Sequence, residues 1–132
     1  MKRYIGTTVA AAAFFCAASA YAHHSFAATY VVDKEIKIEG DMVSFMFRNP
    51  HSFVHVEAKD ESGAMQRWAV EWGGTTQLGA QGVKRESLKV GDEITITARP
   101  SRVPGEYRAL MLSLKRPLDG FSWGSRGGEQ VD

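Results

Sequence analysis

Apolar residues recur at every second position in five stretches of this chain, the period of a half-buried strand. The first runs from Glu35 to Phe47, with Ile36 and Ile38 alternating before Gly40 and Val43, Phe45 and Phe47 after it. The phase change across Gly40-Asp41 predicts a bulge or bend there. Asn49-Pro50 ends the stretch, because proline has no N–H with which to extend a ladder. Ser52 to Ala58 then alternates, which assigns Val54, Val56 and Ala58 to the core and His51, Phe53, His55 and Glu57 to the opposite face. After the turn Asp60-Glu61-Ser62-Gly63, the run Met65 to Trp72 puts Trp68, Val70 and Trp72 on one side and Glu71 on the other.

Gly73 to Gly82 is glycine-rich and weakly helical around Gln77-Leu78. Ile94, Ile96 and Ala98 mark a fourth strand that stops at Pro100, and Leu110, Leu112 and Leu114 mark a fifth beyond the turn pair Pro104-Gly105. Five strands with one short helix between the third and fourth is the element order of an OB-fold barrel. The expected fold is therefore all-β, a five-stranded OB-fold-like barrel over residues 23–120. Residues 121–132 form a glycine-rich, flexible tail in which Phe121 and Trp123 are placed to dock on the barrel.

The first 22 residues change the picture, since they read as an export signal. Lys2-Arg3 are a basic start, Tyr4 to Phe15 an apolar centre, and the small-residue stretch ending at Ala22 puts alanine at positions −3 and −1 of a cleavage site. The apolar run is too short for a membrane anchor. A rival cut after Ala20 has the same small-x-small form. Cys16 is not read as a lipid attachment point, because Phe14-Phe15 before it are too bulky for that processing. The expected location is periplasmic or secreted.

Cleavage after Ala22 removes Lys2, Arg3 and Cys16, which leaves 14 basic and 15 acidic side chains and a net charge near −1. No field of either sign is large enough to steer a nucleic acid or an anionic membrane. With its only cysteine gone, the mature chain has no disulfides, thiolate metal sites or haem-attachment motifs, and must rely on its core.

What chemistry remains lies in four histidines confined to two short stretches, His23-His24 and His51 with His55. A chain that begins on His23 offers a metal ion two nitrogens from one residue, its α-amine and its ring. Copper(II) and related ions take such donors well. A third nitrogen from His51 or His55 would complete a T-shaped set. Along an extended strand these two lie about 13 Å apart and do not clasp one ion together. Pro50 places His51 at a strand entrance, where sites are more often built, so His51 is the favoured ligand. His24 and His55 are auxiliary contacts.

A structural reading stands beside this one. A histidine pair after a cleavage site is also a polar start to a frayed terminus, His51 also suits a hydrogen bond within the Asn49-Pro50 turn, and His55 also suits an exposed strand position. Other chemistry is weaker. Tryptophans alternating in a strand are usually core, Glu71 is a lone carboxylate with no acid–base partner in the sequence, and Ser25 and Ser52 lack an acidic residue at triad spacing. Arg99, Arg102 and Arg108 read as solvated surface, with an anionic ligand as the alternative.

His23-His24-Ser25-Phe26, Gly40 with Val43, Asn49-Pro50-His51, Trp68 with Glu71, and Leu88 through Gly91-Asp92 to Ile94 together resemble a family of small exported proteobacterial proteins with no established activity. The resemblance runs from His23 to about Gly120 and implies a periplasmic β-barrel-like protein. The chain differs from it at Val83-Lys84, where members often carry an aromatic. The function favoured by the sequence is binding or handing on a copper ion through His23 and His51. The alternative is a non-catalytic OB-like module that docks a peptide, glycan or periplasmic partner protein on a face formed by Phe45, Phe47, Phe53 and His55. An enzyme using the copper site for redox chemistry ranks third.

Overall fold

The computed structural model describes residues 26–124. Residues 1–25, which include the stretch read as an export signal together with His23 and His24, and the tail beyond Gly124 lie outside the described residues. Within them the chain forms β1 (Ile36–Met46), β2 (Phe53–Lys59), β3 (Met65–Glu71), the short helix α1 (Thr75–Ala80), β4 (Glu93–Pro100), β5 (Arg108–Arg116) and β6 (Phe121–Trp123). A helical turn at residues 26–29 precedes β1, and a 3-10 turn at Arg85–Ser87 follows α1. None of the described helices is long and apolar enough to cross a membrane.

β1 is long enough to serve two neighbours, pairing with β4 through Ile36 to Asp41 and with β2 through Gly40 to Met46. β2 pairs with β3 and β4 with β5, all antiparallel, and the sheet closes through a parallel β3–β5 pair. The result is the five-stranded OB-type barrel expected from the element order. Val54, Val56 and Ala58 of β2 and Ile94, Ile96 and Ala98 of β4 are all buried, as their alternation requires. Leu78 of α1, fully buried, joins this core, as do Val83 and Leu88. The valine at position 83 thus packs in the interior.

Two phase assignments differ from the sequence reading, and β-bulges explain both. In β1 the break falls between Met42 and Ser44, so Val43 is the extra residue, not Gly40-Asp41. Met42 pairs inward with Val56, and Phe45 resumes the inward phase opposite Val54. In β5, Ala98 pairs with Met111 and Thr97 with Ser113, which leaves Leu112 as the extra residue. The leucine alternation therefore crosses from one face to the other, and the inward residues are Ala109, Met111 and Leu114. Ordered structure also continues past residue 120, the boundary drawn from composition. β6 pairs with the end of β5, while Trp123 packs edge-on against Trp72 (5.1 Å) and its indole N–H donates to Gln81 Oε1 (2.8 Å).

Gly40 has a different duty from the predicted bend. It lies in both ladders, and a Cβ there would sit 2.0 Å from the Glu57 carbonyl oxygen and 3.0 Å from the Ala58 Cβ. Backbone of a paired strand cannot retreat without breaking register. Gly40→Ala is expected to lower stability by about 1–3 kcal/mol, the usual cost of overpacking, read as a lower urea midpoint at unchanged m-value.

Candidate functional site

The Asn-Pro-His segment is fastened to the start of α1 and to the end of β3. Asn49 Oδ1 accepts the Thr75 N–H (2.9 Å), which satisfies one of the helix's free first-turn donors. A Cβ on Gly74 would lie 2.6 Å from the Pro50 carbonyl oxygen and 2.7 Å from Asn49 Oδ1, so this approach needs glycine. On the other side, Ser52 N–H donates to the Gly73 carbonyl (3.0 Å) and Trp72 N–H to the Ser52 carbonyl (2.8 Å). Ser52 is fully buried, and its backbone carries the β2–β3 pairing one step beyond the strands. His51 is thus held at the strand entrance with its imidazole half-exposed.

Glu71, the last residue of β3, points to the barrel's outer face and is nevertheless buried, with 7 % of its surface exposed. What covers it is a strap formed by residues 26–31. Val31 N–H donates to the Pro100 carbonyl (2.9 Å), Arg102 N–H to the Thr29 carbonyl (2.9 Å), and Tyr30 bridges to Ser101. Tyr30, 1 % exposed, donates its phenol O–H to Glu71 Oε2. Arg108 donates through Nη2 to the same carboxylate oxygen (2.9 Å) and through Nε to the Tyr30 oxygen (2.9 Å). The other carboxylate oxygen faces His51 Nδ1 at 3.5 Å, ion-pair range rather than a tight hydrogen bond. Burial, and then the bond to Glu71, push the Tyr30 phenol well above its ordinary pKa, so it stays a neutral donor.

The strap also delivers Phe26 to His51, edge-on, with ring centroids 5.7 Å apart. Nε2 of His51 makes no hydrogen bond among the described residues. One imidazole nitrogen therefore faces a fixed carboxylate. His55 does not join this group. It lies on the outer face of β2, opposite Ser44 and Ala69, with its ring stacked on Phe53 at 6.4 Å. Among the described residues no three His, Cys, Asp or Glu side chains are grouped to hold a metal ion.

The expected ligand face is divided. Phe45 is inward, opposite Val54, with its ring 5.8 Å from Trp72 and 5.6 Å from Phe47; both phenylalanines pack against the core. Only Phe53 and His55 remain outside. They line a shallow depression of about 250 Å³ with Met46, Arg48, Ala69 and Arg108.

A family model matches residues 11–109, most of the chain, and takes in Tyr30, His51, Glu71 and Arg108. The chain belongs to DUF6152, a family of unknown function. The DUF6152 match ends inside β5, one residue beyond Arg108. Comparison with curated proteins finds no match.

Three substitutions probe this geometry. Glu71→Gln removes the charge that Arg108 and Tyr30 are built around and should cost about 1.5–3 kcal/mol of stability. Arg67→Gln, which breaks the exposed pair with Glu57, should cost no more than about 1 kcal/mol in the same urea titration. For His55, burial first, then Arg67 and Arg48, hold the imidazole pKa below its ordinary 6.5. The folded chain thus takes up that proton less readily than the unfolded chain. Its stability contribution is intact above pH 6.5 and declines as pH falls below it. His55→Gln should flatten the stability profile on that acid side, measured by urea midpoints across the range.

Proposed function

We propose that this DUF6152 protein binds a divalent transition-metal ion, copper(II) by donor chemistry, in the periplasm after cleavage behind Ala22. The coordinating groups are the α-amine and ring of His23 and Nε2 of His51, with His24 as an auxiliary contact. The observation that carries this reading is the setting of His51: a half-exposed ring whose Nδ1 faces the buried Glu71 carboxylate and whose edge rests on Phe26. Histidine ligands commonly turn one ring nitrogen to a carboxylate, which fixes the ring and raises the basicity of the nitrogen that binds metal. Phe26 is three residues beyond His23, a separation that a chain spans in at most roughly 10 Å. Contact between Phe26 and His51 thus keeps the proposed N-terminal donors within reach of the third nitrogen. In this role Glu71 is a positioning residue and Tyr30 and Arg108 hold Glu71.

Copper(II) titrated into protein whose first residue is His23 should bind with one-to-one stoichiometry. Affinity should fall as pH drops through the range of the amine and imidazole, about 8 to 6.5, because protons compete for the same lone pairs. One glycine added before His23, or His51→Ala, should each weaken binding at least tenfold. Glu71→Gln should weaken it by about tenfold or more, in line with loss of an outer-shell partner. Unchanged affinity in both the glycine-extended and His51→Ala proteins would refute this site.

A further inference from the structure

The outer depression beside the cluster has its own charge pattern. Two guanidiniums approach the same ring, Arg48 and Arg108 each placing Cζ 5.6 Å from the Phe53 centroid. Arg108 is immobilised from behind, since its Nε is committed to Tyr30 and its Nη2 to Glu71. Its Nη1 is left without a bond among the described residues. Arg48 is exposed and forms no ion pair with a described carboxylate. The two carboxylates nearby are already engaged, Glu71 with Arg108 and Glu57 with Arg67. One positive charge, that of Arg48, is therefore uncompensated over an apolar floor of Met46, Phe53 and Ala69.

We propose that this depression is a binding site for a small oxyanion, a carboxylate or a phosphate, carried on a molecule whose apolar part rests on Phe53 and Met46. Arg48 supplies the main charge, with a fork that matches two oxygens, and Nη1 of Arg108 supplies a second, pre-positioned donor. Pockets for drug-sized ligands enclose roughly 300–1,000 Å³. This one, at about 250 Å³ and open, suits a single small group. A near-neutral chain with one such patch lacks the field that a nucleic acid requires.

The site does not depend on the metal reading, and the two are separable in one experiment. Amide NMR titrations of the chain from His23 onward, in metal-free buffer at ionic strength fixed with chloride, would use inorganic phosphate in one arm and benzoate in the other. Saturable shifts confined to residues 46–55, Ala69 and Arg108 are expected with at least one probe, and the probe that binds more tightly identifies the oxyanion. Arg48→Gln should weaken that binding about tenfold or more, and Arg48→Lys, which keeps the charge without the fork, should fall between. Lys89→Gln, which removes an exposed charge outside the depression, should bind as the unaltered chain does. Shifts that neither probe saturates, or saturable binding unchanged in Arg48→Gln, would overturn the proposal. Thermal melts of each variant distinguish loss of the site from loss of the fold.

Discussion

A carboxylate at the mouth of a barrel is costly to bury unless several donors meet it, and that constraint organises this protein. Glu71 gathers Tyr30 from the N-terminal strap and Arg108 from β5, and faces His51 at the entrance to β2. Four segments distant in sequence thereby share one charge. The strap is held along the end of β4 by backbone hydrogen bonds, yet among the described residues the polar end of its most buried side chain, Tyr30, is satisfied only at Glu71 and Arg108. Without that carboxylate, the buried phenol O–H would lose its acceptor and Arg108 its ion-pair partner.

The arrangement passes outward without a break. Arg108 touches Glu71 and Tyr30 on one side and the Phe53 ring on the other, so the Glu71 cluster and the Arg48 depression meet at one side chain. On the opposite side of β1 and β2, Phe45 and Phe47 serve the interior with Trp72, and the β6 strand reinforces that wall through Trp123. One surface is thus polar and chemically committed, and the other is sealed by aromatic packing.

Much of the architecture was legible from alternation. Core faces of β2 and β4 followed directly, because apolar and polar residues there keep strict order. β1 and β5 were harder, since Val43 and Leu112 are bulged residues and a hydrophobic side chain at a bulge looks like one more member of the pattern. At the candidate site, the place of His51 at the strand entrance was legible through Pro50, and its separation from His55 through strand length. Glu71 was not. Periodicity assigned it correctly to the outer face, but its burial comes from Tyr30, 41 residues away, and no local pattern reports such cover. Topology held the missing signal. An OB barrel closes by pairing β3 with β5, which places a carboxylate ending the former beside an arginine opening the latter.

That closure is a seam of only three paired positions, Ala69 with Arg108, Val70 with Ala109 and Glu71 with Leu110. Two of the six residues are the ion pair itself. The barrel's shortest seam and its chemical centre therefore coincide, and local opening of the sheet cannot occur there without dismantling the cluster. Any molecule that binds only the closed arrangement adds its binding free energy to the closed state, by mass action. Occupancy of this surface would be registered across the whole barrel as slower breathing of β3 against β5, giving a small protein without disulfides a way to become more rigid when loaded.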